Sequence, residues 1–313
     1  MPNKRLEIYV GWTCNQRCTY CIEAENMEKN WDRKVTKYEI LKKLIKYKKR
    51  WYDHVTYLWW EPFIQPVFLD ALHIGKMLGY TMLVTTNCTT LHIDSQASKF
   101  LPYIDELILS VEAIWITEQQ KISRTKNYVY WDLVFENIKK YWKGNYLKAN
   151  IVITQNNKNT LMELASFLKD KWVKNIAITY PDITIGYYWE EHTKGKIAPS
   201  YTECMKEILE ILNLWEKHWI HIKIVDFPFC IFPKNGYIEK YIQLTDDHDY
   251  QTRVKIAHDE NILDRWLLKT KEELPRQRFH CAKCTDCVYK WRCWGPSVYY
   301  DSLYSLDEIN PII

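Results

Sequence analysis

Short apolar runs alternate with amphipathic stretches along the first 225 residues of this 313-residue chain. Residues 6–10, 55–58, 81–85, 106–111, 149–154 and 175–179 are apolar runs of strand length, rich in β-branched residues. Helical patterns lie between them, one from Thr36, then over 66–78, 95–103 and 128–142, and from Thr160 to about residue 172. Two of these starts carry a capping box, Thr36-Lys37-Tyr38-Glu39 and Thr160-Leu161-Met162-Glu163. Ile40, Leu41, Leu44, Ile45 and Tyr47 are the apolar positions of the helix from Thr36. Its Lys42, Lys43, Lys46, Lys48, Lys49 and Arg50 read first as a solvated face, and second as a docking surface for an acidic partner. In 128–142, Leu133, Val134, Ile138 and Tyr141 are spaced for one buried face. About six strand–helix repeats predict a parallel α/β arrangement. A further helix over 201–218 and a strand-like run at 220–225 follow. From Asp226 the alternation stops, and 246–249 and 269–278 read as loops or short helices. The pattern thus divides the chain into an α/β domain, 1–225, and a small cysteine-rich extension, 226–313.

Composition narrows the class. Hydrophobic residues make up 47%, enough for a sizeable core, and a net charge of +4 does not point to nucleic acid. No run of about eighteen apolar residues predicts a membrane span. The first residues lack a signal-peptide core, so a cytoplasmic location is expected. Ten cysteines could form disulfides, but seven fall in two tight clusters, which argues for metal in a reducing compartment. Glycine is scarce, 8 residues of 313 against a usual share of about 7%, while tryptophan reaches 15.

The first cluster, Cys14-Asn15-Gln16-Arg17-Cys18-Thr19-Tyr20-Cys21, follows the first predicted strand. Three thiolates on one loop can hold three irons of a four-iron, four-sulfur (4Fe-4S) cluster and leave the fourth iron open to chemistry. The competing reading is a zinc site that lacks its fourth ligand. The second cluster holds Cys281, Cys284, Cys287 and Cys293. Spacing alone leaves it as iron–sulfur or as a four-cysteine zinc knot. Cys88 and Cys204 have no sequence partner and are expected to be buried apolar residues.

The C-x3-C-x2-C motif, with Tyr20 before its last cysteine, resembles the signature of the radical S-adenosylmethionine (SAM) superfamily. That resemblance implies a partial (β/α)6 barrel with the cluster loop after strand one. It also implies that SAM binds the open iron and is cleaved to a 5′-deoxyadenosyl radical, which abstracts hydrogen from a substrate. Further family positions fall at successive strand ends. Trp59-Trp60-Glu61-Pro62 stands in place of Gly-Gly-Glu-Pro, and Thr86-Asn87-Cys88 resembles Thr-Asn-Gly. Ser110 and Glu112 resemble Ser-x-Asp/Glu, and Asn156 fits an Asn after strand five. Each of these polar residues could equally cap a helix. Cys284, Cys287 and Cys293 resemble the C-x2-C-x5-C of SPASM/twitch extensions, with Ser297 where a further cysteine would stand. This implies one auxiliary iron–sulfur cluster with Cys230 or Cys281 as fourth ligand.

Such a cluster implies peptide or protein modification, with a sugar or nucleotide substrate as the alternative, and an electron donor of flavodoxin or ferredoxin type. Only thirteen residues precede Cys14, so no peptide-binding module is expected before it. A non-catalytic metal-binding protein is the other class, because indoles at Trp59 and Trp60 would crowd SAM. Trp59, Trp60 and Trp294 stand at family glycine positions. They raise the expectation that UGA was written as tryptophan where the source reads glycine; the alternative is a truly tryptophan-rich chain with a reshaped SAM site.

Overall fold

A computed structural model describes residues 4–183, 196–215, 220–233, 253–256, 278–291, 293 and 295–313. Eight parallel strands form one sheet: β1 Lys4–Ile8, β2 Tyr52–Tyr57, β3 Thr81–Thr86, β4 Glu106–Ser110, β5 Tyr146–Val152, β6 Asn175–Thr179, β7 His221–Val225 and β8 Arg253–Ile256. Their order is β7-β6-β5-β4-β3-β2-β1-β8. The two outer strands are not paired with each other, so the sheet is an open barrel. The six expected strands are present, and the run at 220–225 adds a seventh. β8 is a departure from the expected loops beyond Asp226: Arg5 to Ile8 pair with Arg253 to Ile256. The expected loops at 246–249 and 269–277, the helix end at 216–218 and Trp294 lie outside the described residues.

Strand alternation sorts side chains onto two faces. Leu107, Leu109, Leu147, Ala149 and Ile151 are buried in a core shared with residues of the crossover helices. Between them Glu106, Ile108, Ser110, Lys148 and Asn150 are half-buried on the other face, which is markedly polar. There Arg5 pairs with Glu106 at 3.2 Å. The helices are α1 Ala24–Asn30, α2 Lys37–Lys48, α3 Phe68–Met77, α4 Asp94–Phe100, α5 Ile116–Ser123, α6 Trp131–Tyr141, α7 Leu161–Asp170, α8 Tyr201–Trp215 and α9 Tyr300–Leu303. Neither α1 nor α5 was expected from the pattern.

The two capping boxes behave differently. Thr36 Oγ1 accepts from Glu39 N at 3.2 Å, and Glu39 Oε2 accepts from Thr36 N at 2.7 Å, so the first box is complete. At α7 the Thr160 side chain makes no cap. Its hydroxyl donates to Asn157 O at 3.2 Å, and Glu163 Oε1 is taken by the Trp115 indole N–H at 3.0 Å. α6 starts at Trp131 and buries Val134 and Ile138, but Leu133 is exposed, contrary to the face read from spacing. In α2, Ile40 and Leu44 are buried and Ile45 is exposed. The C-terminal residues dock on α8: the Tyr201 and Tyr300 rings stack at 4.1 Å, and Tyr201 N donates to Tyr300 Oη at 2.7 Å.

Candidate functional site

The Cys14–Cys21 loop lies beyond the carboxyl end of β1, where parallel α/β folds place their sites. It is pinned from four sides. Gln65 Nε2 donates to Thr13 O at 2.7 Å, and Glu61 N donates to the same carbonyl at 3.3 Å. Asn87 Nδ2 donates to Asn15 Oδ1 at 2.9 Å, and Asn15 Nδ2 to Thr89 Oγ1 at 2.7 Å. Arg17 N and Thr19 N donate to Ser123 O and Ile122 O at the end of α5. Asn127 Nδ2 donates to Asn15 O at 2.7 Å. Gly11 is needed for the close approach of Gln65, since a Cβ there would meet Gln65 Oε1 at 1.8 Å.

The sulfurs receive N–H groups. Gln16 N lies 3.4 Å and Asn87 Nδ2 3.6 Å from Cys14 Sγ, and the Glu23 backbone N–H donates to Cys21. Burial pushes the Cys14 thiol up to about 12 and Cys21 to about 11, and Cys18 also rises. Bound cations reverse that preference by stabilising thiolates. Among the described residues, no three His, Cys, Asp or Glu side chains gather as ligands of a single ion. A 4Fe-4S cluster distributes its thiolates over separate irons, and the three cysteines with their N–H donors suit that group.

Glu61 is fully buried and joins two strand ends. Its Oε1 accepts from Phe63 N at 3.1 Å and Thr86 Oγ1 at 2.9 Å, and its Oε2 from Asn87 N at 2.7 Å. Burial outweighs these donors and raises its carboxyl to about 7. Pro62 is buried at the start of a 3₁₀ turn, Pro62–Ile64. Glu112 is likewise raised to about 7 by burial and accepts from the Tyr20 hydroxyl. Cys18, Asn87, Ser110 and Glu112 line a narrow cleft with Gln16 and Gln119. The structure therefore brings Cys18, Asn87, Ser110 and Glu112 to one space, with Tyr20 hydrogen-bonded at its edge. Asn156 is exposed. The neighbouring Asn157 is buried instead, accepting from Thr154 N at 2.7 Å and donating to Glu112 O at 2.9 Å and Val152 O at 3.0 Å.

Trp59 and Trp60 follow β2 with φ of 67° and 48°, in the left-handed region. The Trp60 ring packs 5.0 Å from Tyr9 and 4.6 Å from Trp12. Cys88 is buried, with φ 64°, and Cys204 is buried in the core.

In the tail, Cys230, Cys284, Cys287 and Cys293 line one small pocket with His280 and Lys290. Cys230 arrives on a 3₁₀ turn, Phe229–Ile231, shortly after β7. Cys281 lies outside that lining, its sulfur 3.5 Å from Cys284 Sγ. Gly295 N donates to Cys293 Sγ at 3.4 Å, and the Phe229 N–H also reaches that sulfur. Burial pushes Cys230 up to about 12 and Cys284 to about 11.

Sequence reasoning missed the scaffold around the loop: Gln65, Thr89, Asn127, Asn157 and the end of α5. An open parallel barrel with three cysteines after its first strand defines a class of cluster-binding α/β enzymes. Residues 8–168, half of the chain, match the profile of the Radical SAM superfamily, and the chain belongs to that family of enzymes. A curated relative, an S-adenosylmethionine-dependent nucleotide dehydratase of Flammeovirga pacifica, is 26% identical over 166 residues, 50% of this chain and 55% of its own. The chain thus spans about half the length of that relative.

Two solved structures share the fold. SuiB of Streptococcus suis bound to S-adenosylmethionine has a TM-score of 0.59 and 14% identity, covering 98% of this chain and 77% of its own. AnSMEcpe with bound AdoMet and Kp18Cys peptide has a TM-score of 0.59 and 15% identity, covering 98% and 93%. Among the described residues no helix is long and apolar enough to cross a membrane.

Proposed function

We propose that the protein binds a 4Fe-4S cluster on Cys14, Cys18 and Cys21, cleaves SAM reductively and modifies a peptide or protein. The observation that carries this reading is the cysteine loop, braced by N–H donors and opening on the cleft beyond the strand ends. Bound there, the cluster supplies the electron that cleaves SAM. Asn87 orients the loop through Asn15 and Cys14, Ser110 and Glu112 offer polar groups to SAM, and Glu112 sets the position of Tyr20. Asn156 is exposed, available to the ligand, and Glu61 and Pro62 shape the end of β2 beside it. Cys230, Cys284, Cys287 and Cys293 hold an auxiliary iron–sulfur cluster, with Cys230 preferred to Cys281 because it shares the pocket. The donor of electrons is a flavodoxin or ferredoxin. The peptide reading draws support from structures of similar fold, SuiB bound to precursor peptide SuiA and anSMEcpe with bound Kp18Cys peptide. The name of the curated relative favours a nucleotide as the second reading.

Anaerobic reconstitution with dithionite and SAM tests the proposal. The protein should yield 5′-deoxyadenosine, and Cys18→Ala should not; turnover by that variant overturns the assignment. Iron should approach about eight per chain and fall to about four in Cys230→Ala, while Cys281→Ala keeps its iron. Stoichiometric zinc in the tail would refute the auxiliary cluster. Deuterium passing into deoxyadenosine from a labelled nucleotide, and not from a labelled peptide, would decide for the second reading.

A further inference from the structure

Among the described residues, seven other than glycine have φ of 48–67°, and four of them are tryptophan: Trp51, Trp59, Trp60 and Trp172. Tryptophan is 15 of 313 residues, so its chance share of seven positions is well below one. In that conformation Cβ presses on the backbone carbonyl, and glycine escapes the clash because it has no Cβ.

Two of the four end helices. After α3, Gly79 has φ 67°, its N–H donates to Lys76 O at 3.0 Å, and Tyr80 N donates to Gly75 O at 3.0 Å. After α7, Trp172 has φ 53°, its N–H donates to Lys169 O at 2.8 Å, and Val173 N donates to Leu168 O at 3.0 Å. This is one helix-ending motif used twice, and glycine is its usual left-handed residue. Trp51 stands one residue further beyond the end of α2, its N–H donating to Lys48 O at 3.0 Å. The indoles do not compel these conformations by packing. Trp51 is 81% and Trp172 43% exposed, the latter with one ring edge on Phe135. The other two end β2, and the buried Trp60 Nε1 has no hydrogen-bond partner among the described residues. Trp131 differs: it is buried, lacks a positive φ and donates its indole N–H to Ala113 O at 3.0 Å.

We infer that Trp51, Trp59, Trp60 and Trp172 are glycines in the protein as its own cell makes it, and that Trp131 is a true tryptophan. Trp51 and Trp172 lie in no catalytic motif, so the substitution follows backbone conformation through the chain. A codon with two readings, UGA, connects the two residues. Glycines at 59 and 60 also bare the backbone at the end of β2, next to the Thr13 carbonyl that Glu61 N touches at 3.3 Å.

The gene's codons test this without any assay of activity, so the result is independent of the proposed function. UGA is expected at 51, 59, 60 and 172, and UGG at 131. UGG at 51 or 172 overturns the inference, and UGA at 131 overturns the sorting by backbone conformation. In native protein, peptides spanning 51 and 172 should be lighter by one indole side chain each; tryptophan masses there overturn it. In recombinant protein, Trp172→Gly should raise the unfolding midpoint by roughly 2 °C and Gly79→Trp should lower it. A lower midpoint for Trp172→Gly removes the physical ground.

Discussion

Replacing Glu61 by glutamine keeps the side chain's shape and turns one of its two acceptors into a donor. The carboxylate faces three donors: Phe63 N and Thr86 Oγ1 on one oxygen, Asn87 N on the other. Whichever way the amide is turned, its NH2 meets a backbone N–H that then loses its acceptor. A buried donor left unsatisfied costs about 1–3 kcal/mol. The effect should depend on pH. Burial raises the Glu61 carboxyl from its ordinary range to about 7. The folded chain therefore holds this proton more tightly than the unfolded chain does. Its stabilising effect is complete below the ordinary carboxyl range and is lost as pH rises through about 7. Between pH 5 and pH 8 the parent should lose about 2–3 kcal/mol from this group, at about 1.4 kcal/mol per pKa unit, while Glu61→Gln loses none of it. Urea unfolding of the iron-free protein, under reducing conditions, should show the difference in stability between parent and variant move by about 2–3 kcal/mol in the variant's favour from pH 5 to pH 8. A stability gap that stays the same at both pH values would refute the raised carboxyl.

Three further outcomes follow from single contacts. Asn157→Ala should cost about 3 kcal/mol in urea unfolding, because Thr154 N, Glu112 O and Val152 O all lose a partner; a loss below about 1 kcal/mol would show the turn holding without it. Thr36→Ala should cost about 1 kcal/mol and Thr160→Ala clearly less, since only the first makes a cap; equal costs would contradict this. Gly11→Ala should expel Gln65 from Thr13 and reduce the iron retained after reconstitution, and full iron content in that variant would show the Gln65 brace to be dispensable.

The strands were legible because their apolar positions pack against helices, a pattern local to each run. The cysteine loop was legible because three thiols on eight residues have few other uses. The helix that braces them was not. α5 buries Gln119, Ile122 and Ser123, so polar residues do the work of an apolar face. Gln119 accepts from Val129 N at 2.6 Å and donates to Ile114 O at 3.1 Å, contacts that no periodicity announces. The two capping boxes make the same point. They match in sequence, yet Trp115, 48 residues away, captures Glu163 and only the Thr36 box forms. Asn156 and Asn157 are adjacent, and only the fold shows which one is buried. β8 is four residues long and, among the described residues, pairs only with β1, too short a run to stand out beyond the last helix repeat.

The braces of the cysteine loop have a consequence for its assembly on the ribosome. Asn15 is held by Thr89 and by Asn127, which lie 74 and 112 residues later in the chain. The cysteines leave the exit tunnel first, but those partners do not yet exist. At about 5–20 residues per second, the interval to Asn127 lasts roughly 6–22 seconds. Through that time Cys14, Cys18 and Cys21 are unshaped thiols open to stray metals and oxidants. On the proposed reading, a cluster can be held in this braced form only once the segment after α5 has been made.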